Sequence, residues 1–270
     1  GCTTREQPNK RKANIMNMLK EKLHNNEVCL GTHVSLNDPV ITELMGNVGF
    51  DYLWIDTEHT AIDLNCLQQH LIAARAACVS AIVRVPCVDQ VRVKPILGPD
   101  GIVFPQVNSY QLAKTAVEAC MYPPKGNRGF GPRRAIQFGR VSLSDYYQAV
   151  DDNLLRILQV ENVHAVEDFA KIVTVEGIDA FIIGPCDLAA SMGHFNDLRH
   201  PEVVSAMRHV IQTAQKNHIP IGVSFGACTY EDILFWHALG VNLISLAADT
   251  DLLLHGAEHY LKEMKKCFHS

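Results

Sequence analysis

The sequence predicts an α/β protein folded as a single (β/α)8 TIM barrel. Eight short apolar runs alternate with amphipathic helical patterns along the 270 residues. Most runs are continuously hydrophobic, as expected of parallel strands that are buried on both faces. The alternative, a doubly wound open sheet, usually carries a glycine-rich phosphate loop after its first strand. The sequence at that place reads GTHVSLND, which is not such a loop.

The predicted strands are short apolar runs followed by turn or helix signals. They are EVCLGTHV (27–34), YLWIDTEH (52–59), SAIVRVP (80–86), GIVFPQV (101–107), RILQVE (156–161), AFIIGP (180–185), PIGVSF (220–225) and NLISLAAD (242–249).

The predicted helices lie between these strands and at both ends of the chain. Asp63 is a candidate N-cap, and Pro95 is expected to shorten the helix that follows the third strand. We divide the chain into a polar segment with a helix (1–26) and the barrel with its C-terminal helix (27–270). The helical segments are 9–26, 39–49, 63–77, 88–97, 109–121, 163–175, 201–217, 230–240 and 251–268.

Composition narrows the class of protein. Hydrophobic content of 47% and charged content of 20% are ordinary for a globular protein with a sizeable core. The net charge of −5 argues against a nucleic-acid partner, and no apolar run reaches the ~18 residues of a membrane span. The nine cysteines are odd in number and form no Cys-x-x-Cys pair. Free thiols in a reducing cytoplasm are the expectation.

Polar residues interrupt or follow the apolar runs where the strands end. Each alone has an ordinary explanation, such as a helix cap or a surface ion pair. In a barrel, however, the carboxyl ends of all strands surround one rim, and that rim carries the chemistry. The residues concerned are Asp56, Glu58, His59, Arg84, Gln106, Gln159, Glu161 and Asp187.

The chemistry of this set is coherent. Glu161 and Asp187, with no softer ligand nearby, suit a hard divalent cation such as Mg²⁺ or Mn²⁺. Arg84 can stabilise a developing enolate oxygen, and a neutral His59 can move a proton. No strand end offers a lysine for Schiff-base chemistry. The set therefore predicts an enolate-forming, metal-dependent site.

Several stretches together resemble the metal-dependent class II pyruvate aldolases of the HpcH/HpaI family. They are DYLWIDTEHTAID, AIVRVP, GIVFPQVNS, YPPKGNRGFGP, LQVEN and VEGIDAFIIGPCDLAASMGH, and the resemblance covers roughly residues 27 to 260. It implies a barrel of the phosphoenolpyruvate/pyruvate superfamily. The activity it implies is reversible cleavage of a 4-hydroxy-2-oxo acid into pyruvate and an aldehyde through an enolate.

The resemblance also implies roles for particular residues. Glu161 and Asp187 would hold Mg²⁺ or Mn²⁺, with Co²⁺ as the alternative, and His59 would be the acid–base group, held by Asp56. Arg84 would face the enolate oxygen. Family members form homotrimers or homohexamers in which the last helix packs on a neighbour. The residues expected to bind substrate are Arg84, Arg128, Gln159, Gly184, Pro185, Cys186 and Asp187.

Two departures from the family pattern keep alternatives open. The chain reads PILGPDGI where the family has an acid before the glycine corresponding to Gly98, which implies weaker proton transfer. Cys186 precedes Asp187 where the family has Ala or Asn, which implies sensitivity to oxidation. The alternatives are a CoA-thioester lyase of the citrate lyase β or malyl-CoA lyase type, and a barrel with weakened catalysis.

The longest gap between predicted elements is a basic loop, YPPKGNRGFGPRRAIQFGRVSLSD (122–145). Long loops in compact domains are often functional. One hypothesis is that Arg128 holds the far end of the substrate, which predicts a preference for aldehydes that carry an acid or several hydroxyls. The other is a solvated loop that pairs with acidic helices of a neighbouring subunit.

Overall fold

The computed structural model describes residues 17–96, 98–226 and 229–268. Eight parallel strands close into a barrel in chain order, β1 to β8, each paired with the next and β8 with β1. The barrel confirms the predicted fold class. Its strands are β1 Cys29–Val34, β2 Tyr52–Asp56, β3 Ser80–Arg84, β4 Gly101–Phe104, β5 Leu155–Val160, β6 Ala180–Ile183, β7 Ile221–Phe225 and β8 Leu243–Ala248.

Helices surround the barrel and close one end of it. They are α1 Met18–His24, α2 Pro39–Val48, α3 Leu64–Ala76, α4 Gln90–Val93, α5 Tyr110–Cys120, α6 Leu143–Asn153, α7 Val163–Glu167, α8 Phe169–Ile172, α9 Pro185–Ser191, α10 Pro201–Lys216, α11 Tyr230–Ala238 and α12 Asp249–Lys266. A short 3-10 helix, Gln137–Gly139, lies in the basic loop.

Several helix boundaries follow from local signals. Asp63 caps α3 by accepting from the backbone N–H of Cys66 at 2.8 Å, as predicted. The helix α4 ends at Val93, two residues before Pro95, which agrees with the predicted shortening. The predicted helix 163–175 is divided at Asp168 into α7 and α8. The helices α6 and α9 were not predicted. Of the predicted helix 9–26, residues 9–16 lie outside the described residues.

The barrel interior forms its own apolar core, which α1 covers at the amino ends of the strands. Leu19 and Leu23 of α1 belong to the same buried cluster as the inward-facing Tyr52 and Trp54. Lys20 of α1 forms an ion pair of 2.8 Å with Asp179, just before β6. Because this end of the barrel is covered, the carboxyl ends of the strands provide the open mouth.

The strand β2 ends earlier than its apolar pattern predicts. The prediction ran to residue 59, but pairing stops at Asp56. There the Asp56 carboxylate accepts from the backbone N–H of Glu58 at 2.9 Å, and the Thr60 hydroxyl donates to the Asp56 carbonyl. Side-chain to backbone bonds of this kind favour a turn over a continued strand. Glu58 and His59 therefore lie in the loop beyond the strand.

None of the helices in the described part of the chain is long and apolar enough to cross a membrane. The cysteines described in the structure are free thiols: Cys29, Cys66, Cys78, Cys87, Cys120, Cys186 and Cys267.

Candidate active site

Two adjacent strands bring Arg84 onto Asp56. The two residues are direct partners in the β2–β3 register. The Arg84 guanidinium donates to both Asp56 oxygens, Nε to Oδ1 at 2.9 Å and Nη2 to Oδ2 at 2.6 Å. Its Nη1 lies 3.2 Å from Oε2 of Glu58. This two-pronged pairing fixes the plane and direction of the guanidinium, which a single contact would not do.

The electrostatics of this pair follow from burial and mutual attraction. Burial alone would lower the pKa of Arg84, but the Asp56 carboxylate raises it above its usual range. Burial likewise opposes ionisation of Asp56, yet Arg84 outweighs burial and lowers the pKa of that carboxyl. The guanidinium carbon of Arg84 also lies over the Trp54 ring, 5.4 Å from its centre. Both groups therefore stay charged at the mouth of the barrel.

Glu161 follows β5 and is a buried acid, 2% exposed. Its Oε1 accepts from the backbone N–H of Gln106 at 2.7 Å, and its Oε2 accepts from the amide of Gln159. Burial and the nearby charges of Asp187 and Glu58 raise the pKa of Glu161 to about 7, although the Gln106 N–H opposes the shift. The carboxylate thus lacks a full positive partner of its own.

Gly184 allows β6 to approach this acid closely. A Cβ at position 184 would lie 2.9 Å from Oε2 of Glu161 and 3.0 Å from Nε2 of Gln159. Pro185 follows at the first position of α9 and is buried. Asp187 lies in the first turn of α9 rather than at its cap, and its side chain is exposed. The turn therefore presents the carboxylate of Asp187 near that of Glu161.

The donor set fits a hard divalent cation. Beside burial, which is the main cause, the charge of Asp187 contributes to the raised pKa of both Glu58 and Glu161, so the three carboxylates lie near one another. Oε1 of Gln159 is buried and accepts no hydrogen bond from the described residues. A cation between Glu161 and Asp187 would offset the repulsion, and oxygen donors are what Mg²⁺ and Mn²⁺ prefer.

His59 lies at the rim, but its partner differs from the one predicted. Its side chain is 67% exposed, and Nε2 lies 3.4 Å from Oε2 of Glu58. Asp56, which was expected to hold the imidazole, is instead engaged by Arg84. The reason is the strand register, which places Asp56 opposite Arg84 while His59 lies in the loop beyond. Glu58 is therefore the acid that contacts both His59 and Arg84.

Arg128 is not brought to the rim of its own chain. The residue is 4% exposed, and its Nη2 donates to the carbonyl of Ile96 at 3.1 Å. It lines a cavity of about 330 Å³ whose walls include Ser80 and Asp100, at the amino ends of β3 and β4. The predicted grip of Arg128 on the far end of the substrate is not supported by these contacts, because backbone carbonyls already engage its guanidinium. Arg133 and Arg140 of the same loop are exposed.

The two departures from the family pattern have distinct structural settings. Asp100 is held at the amino end of the barrel, where its carboxylate accepts from the backbone N–H of Ala81 at 2.8 Å. It therefore cannot replace the missing rim acid within one chain. Partial burial and the charge of Asp187 raise the pKa of the Cys186 thiol. A raised pKa leaves less thiolate, and the sensitivity of Cys186 to oxidation stays a prediction.

Sequence reasoning missed one polar pair at the mouth, formed by His33 of β1 and Ser224 of β7. Nε2 of His33 lies 3.0 Å from the Ser224 hydroxyl, and the imidazole meets the Trp54 ring edge-on, with centroids 5.1 Å apart. The period-two pattern of β1 could have predicted the position of His33, because residue 33 shares the inward face with Cys29 and Gly31.

A second group of ligand-type side chains occurs away from the mouth, in the segment after α9. His194, His200 and Glu202 lie close together there. Their contacts are those of a helix cap, because Nδ1 of His200 accepts from the Glu202 backbone N–H at 3.3 Å and His194 pairs with the Glu202 carboxylate at 2.8 Å. The two rings are stacked, so their in-plane nitrogens do not point at a common centre. The arrangement fits a cap better than a metal site.

Known proteins are similar to this chain in both sequence and fold. The profile of the HpcH/HpaI aldolase/citrate lyase family matches residues 30–255. A 5-keto-4-deoxy-D-glucarate aldolase of Escherichia fergusonii is 32% identical over 253 residues, which is 93% of this chain and 97% of that protein. The crystal structure of an HpcH/HpaI aldolase/citrate lyase family protein from Burkholderia cenocepacia J2315 has a TM-score of 0.86 and 32% identity, with 92% of this chain and 99% of that one covered.

The crystal structure of the HpcH/HpaI aldolase from Desulfitobacterium hafniense DCB-2 is also similar. It has a TM-score of 0.85 and 30% identity, and the match covers 92% of this chain and 96% of that one. The likeness extends over nearly the whole barrel.

Proposed function

The chain belongs to the HpcH/HpaI aldolase/citrate lyase family, and on that premise we propose that it is a metal-dependent aldolase. The reaction is the reversible cleavage of a 4-hydroxy-2-oxo acid into pyruvate and an aldehyde. The observation that carries the proposal is the pairing of Arg84 with Asp56 beside the buried acid Glu161. This places the fixed positive charge of Arg84 next to the carboxylate of Glu161, which has no full positive partner of its own. Stabilising an enolate requires such a fixed charge.

Glu161 and Asp187 are the residues proposed to hold the cation, Mg²⁺ or Mn²⁺. When bound, such a cation supplies a positive charge that stabilises the enolate form of pyruvate. Gln159 keeps the Glu161 carboxylate oriented through its amide N–H. Gly184 leaves the room for this arrangement, because any side chain there would collide with Glu161.

The cleavage step is the heterolysis of one carbon–carbon bond, accompanied by proton transfer. A base removes the proton of the hydroxyl at C4, the C3–C4 bond breaks, and its electron pair becomes the enolate of pyruvate. The aldehyde leaves, and C3 of the enolate is then protonated. His59 is the proposed proton carrier, since it lies at the rim beside Glu58 and is largely exposed to the mouth. Arg84 faces the enolate oxygen.

The relatives narrow the class of substrate. Aldol cleavage of 5-keto-4-deoxy-D-glucarate, the substrate in the name of the Escherichia fergusonii relative, would give pyruvate and tartronic semialdehyde. We extend to this chain the broader class, a hydroxylated 2-oxo diacid.

The proposal is tested by following exchange of the pyruvate methyl protons with deuterium oxide in the presence of Mn²⁺. Wild type should catalyse exchange, and Glu161→Gln should abolish it and weaken Mn²⁺ binding measured by calorimetry. Glu167→Gln is the matched control, because Glu167 is exposed on α7 and pairs only with His164 in the described structure. Full exchange in excess chelator, or exchange by Glu161→Gln at the wild-type rate, would contradict the metal assignment.

Cleavage assays with a malyl-CoA type substrate and with hydroxy-oxo acids, run beside the exchange assay, separate the alternatives. A CoA-thioester lyase would cleave a malyl-CoA type substrate in preference to hydroxy-oxo acids, whereas a barrel without catalysis would show no exchange. The homotrimer or homohexamer implied by the family resemblance and the cytoplasmic location both remain predictions.

A further inference from the structure

His33 lies at the mouth of the barrel on the inner face of β1. Below it the inward-facing side chains of Tyr52, Trp54 and Ile82 are fully buried. His33 itself is partly exposed. Since the layer beneath is closed, the accessible part of the imidazole must face the open mouth.

The contacts of His33 tie it to Arg84, the residue assigned to the enolate. Both side chains contact the same indole, since His33 forms a T-shaped contact with Trp54 and the Arg84 guanidinium lies 5.4 Å from the ring centre. His33 therefore borders the space in which the substrate of the proposed reaction would lie, on the side formed by β1 and β7.

The hydrogen bonding of His33 leaves part of its capacity unused. Nε2 is engaged by the Ser224 hydroxyl at 3.0 Å, whereas no described residue is hydrogen-bonded to Nδ1. Burial and, next, the charge of Arg84 lower the pKa of His33 to about 4. At neutral pH the ring is therefore uncharged, and with Nε2 on Ser224 it offers Nδ1 as either a donor or an acceptor, according to the tautomer. A hydroxyl group can pair with both forms, whereas a carboxylate can only accept.

We propose that His33 is a specificity-determining residue, which hydrogen-bonds a hydroxyl of the aldehyde-derived half of the substrate and is held in place by Ser224. This inference rests on the proposed aldolase function and deepens it. A site built to bond a hydroxyl disfavours the analogue that lacks one, because a polar group is then left unpaired. The enzyme should therefore prefer hydroxylated aldehydes to alkyl aldehydes of the same length.

The test compares two three-carbon aldehydes, glyceraldehyde and propionaldehyde, in the aldol addition to pyruvate with Mn²⁺. The measured quantity is kcat/KM for glyceraldehyde divided by kcat/KM for propionaldehyde. His33→Phe retains an aromatic ring against Trp54 but removes both nitrogens, and it should lower the ratio about tenfold. His33→Asn retains a donor and an acceptor without the ring, and it should keep the ratio within about threefold of wild type.

His237→Phe is the matched control, because His237 is exposed on α11, and it should leave the ratio at the wild-type value. A ratio unchanged in His33→Phe would overturn the inference. If kcat/KM also fell equally for both aldehydes, His33 would only support Trp54. Failure of the aldolase proposal gives a different result, because wild type would then exchange no pyruvate protons.

Discussion

Glu161 and Asp56 are both buried acids at the same rim, but their surroundings shift their pKa values in opposite directions. Asp56 receives two hydrogen bonds from a guanidinium, which lowers its pKa. Glu161 receives neutral N–H donors only, so burial dominates and raises its pKa to about 7. The difference assigns them different tasks. Asp56 positions Arg84, and Glu161 is available to a cation.

At the same scale, His59 should be needed for turnover more than for binding. Replacing His59 by Ala removes the proposed proton carrier, and general acid–base groups typically contribute ~10²–10⁴-fold in rate. We expect kcat for cleavage to fall by that order while the Kd for pyruvate changes little. Because Glu58 contacts the imidazole, Glu58→Gln should show a milder loss of kcat. Near-normal turnover in His59→Ala would remove His59 from the mechanism.

The elements next to the mouth are connected by a buried acid at the start of α12. Asp249 is fully buried, and its carboxylate accepts from the backbone N–H groups of Ser35 and Leu36, both at 3.0 Å. It also accepts from the Ser35 hydroxyl. The first turn of α12 thereby holds the loop that links β1 to α2, and this loop follows His33 directly.

Asp249→Ala should therefore destabilise the protein and loosen the segment after β1. Two backbone donors would be left unpaired, at a cost of about 2 kcal/mol or more in the free energy of unfolding. The measurement is urea denaturation, with hydrogen exchange of residues 35 and 36 as the local readout. Asp251→Ala is a control from the same turn, since Asp251 contacts only the Ala248 N–H in the described structure. Equal effects of both changes would contradict the anchoring role.

The packing of α2 on α3 should make stability depend on pH. His70 of α3 is fully buried against Thr42 of α2, with Nδ1 at 2.7 Å from the hydroxyl, and burial lowers the pKa of His70. Below about pH 6.5 an unfolded histidine takes up a proton that the folded one resists. Stability should therefore fall as the pH falls through that value.

The measurement is the urea midpoint at pH 7.5 and pH 5.5 for wild type and His70→Gln. The substitution should reduce the difference between the two pH values, because one titrating group is removed. An equal pH dependence in both proteins would show that His70 contributes nothing. The other histidines are present in both proteins, so their contributions cancel in this comparison.

At the scale of the whole molecule, α12 leaves the barrel with most of its length exposed. Leu253, Leu254, Leu261 and Met264 are each more than 50% exposed. An 18-residue helix with apolar residues in this state is typical of an interface between subunits. It supports the predicted homo-oligomer, in which a second copy would cover the helix.

Leu254→Glu with Leu261→Glu should therefore dissociate the assembly. The two positions are seven residues apart and share one face of α12. Light scattering after size-exclusion chromatography should give the mass of a trimer or hexamer for wild type and a smaller mass for the variant. Lys262→Glu is the control for added negative charge. A wild-type protein of about 30 kDa in solution would contradict the prediction.

The amino-acid sequence by itself determined the barrel and the rim. Continuous apolar runs and the helices between them are local signals, so the positions of all eight strands could be read directly. The order of the strands then required that residues after β2, β3, β5 and β6 surround one mouth. For that reason the candidate ligands Glu161 and Asp187, and Arg84 with them, could be named before any coordinates.

Only the tertiary structure decided which side chains are partners. Asp56 pairs with Arg84 and not with His59 because the β2–β3 register places the two opposite each other. Arg128 donates to backbone carbonyls, because its loop folds back against Ile96 and Cys120. His33 meets Ser224 across 191 positions of the chain only because the barrel closes. Periodicity describes each element alone, whereas partners depend on register and closure, which long-range packing sets.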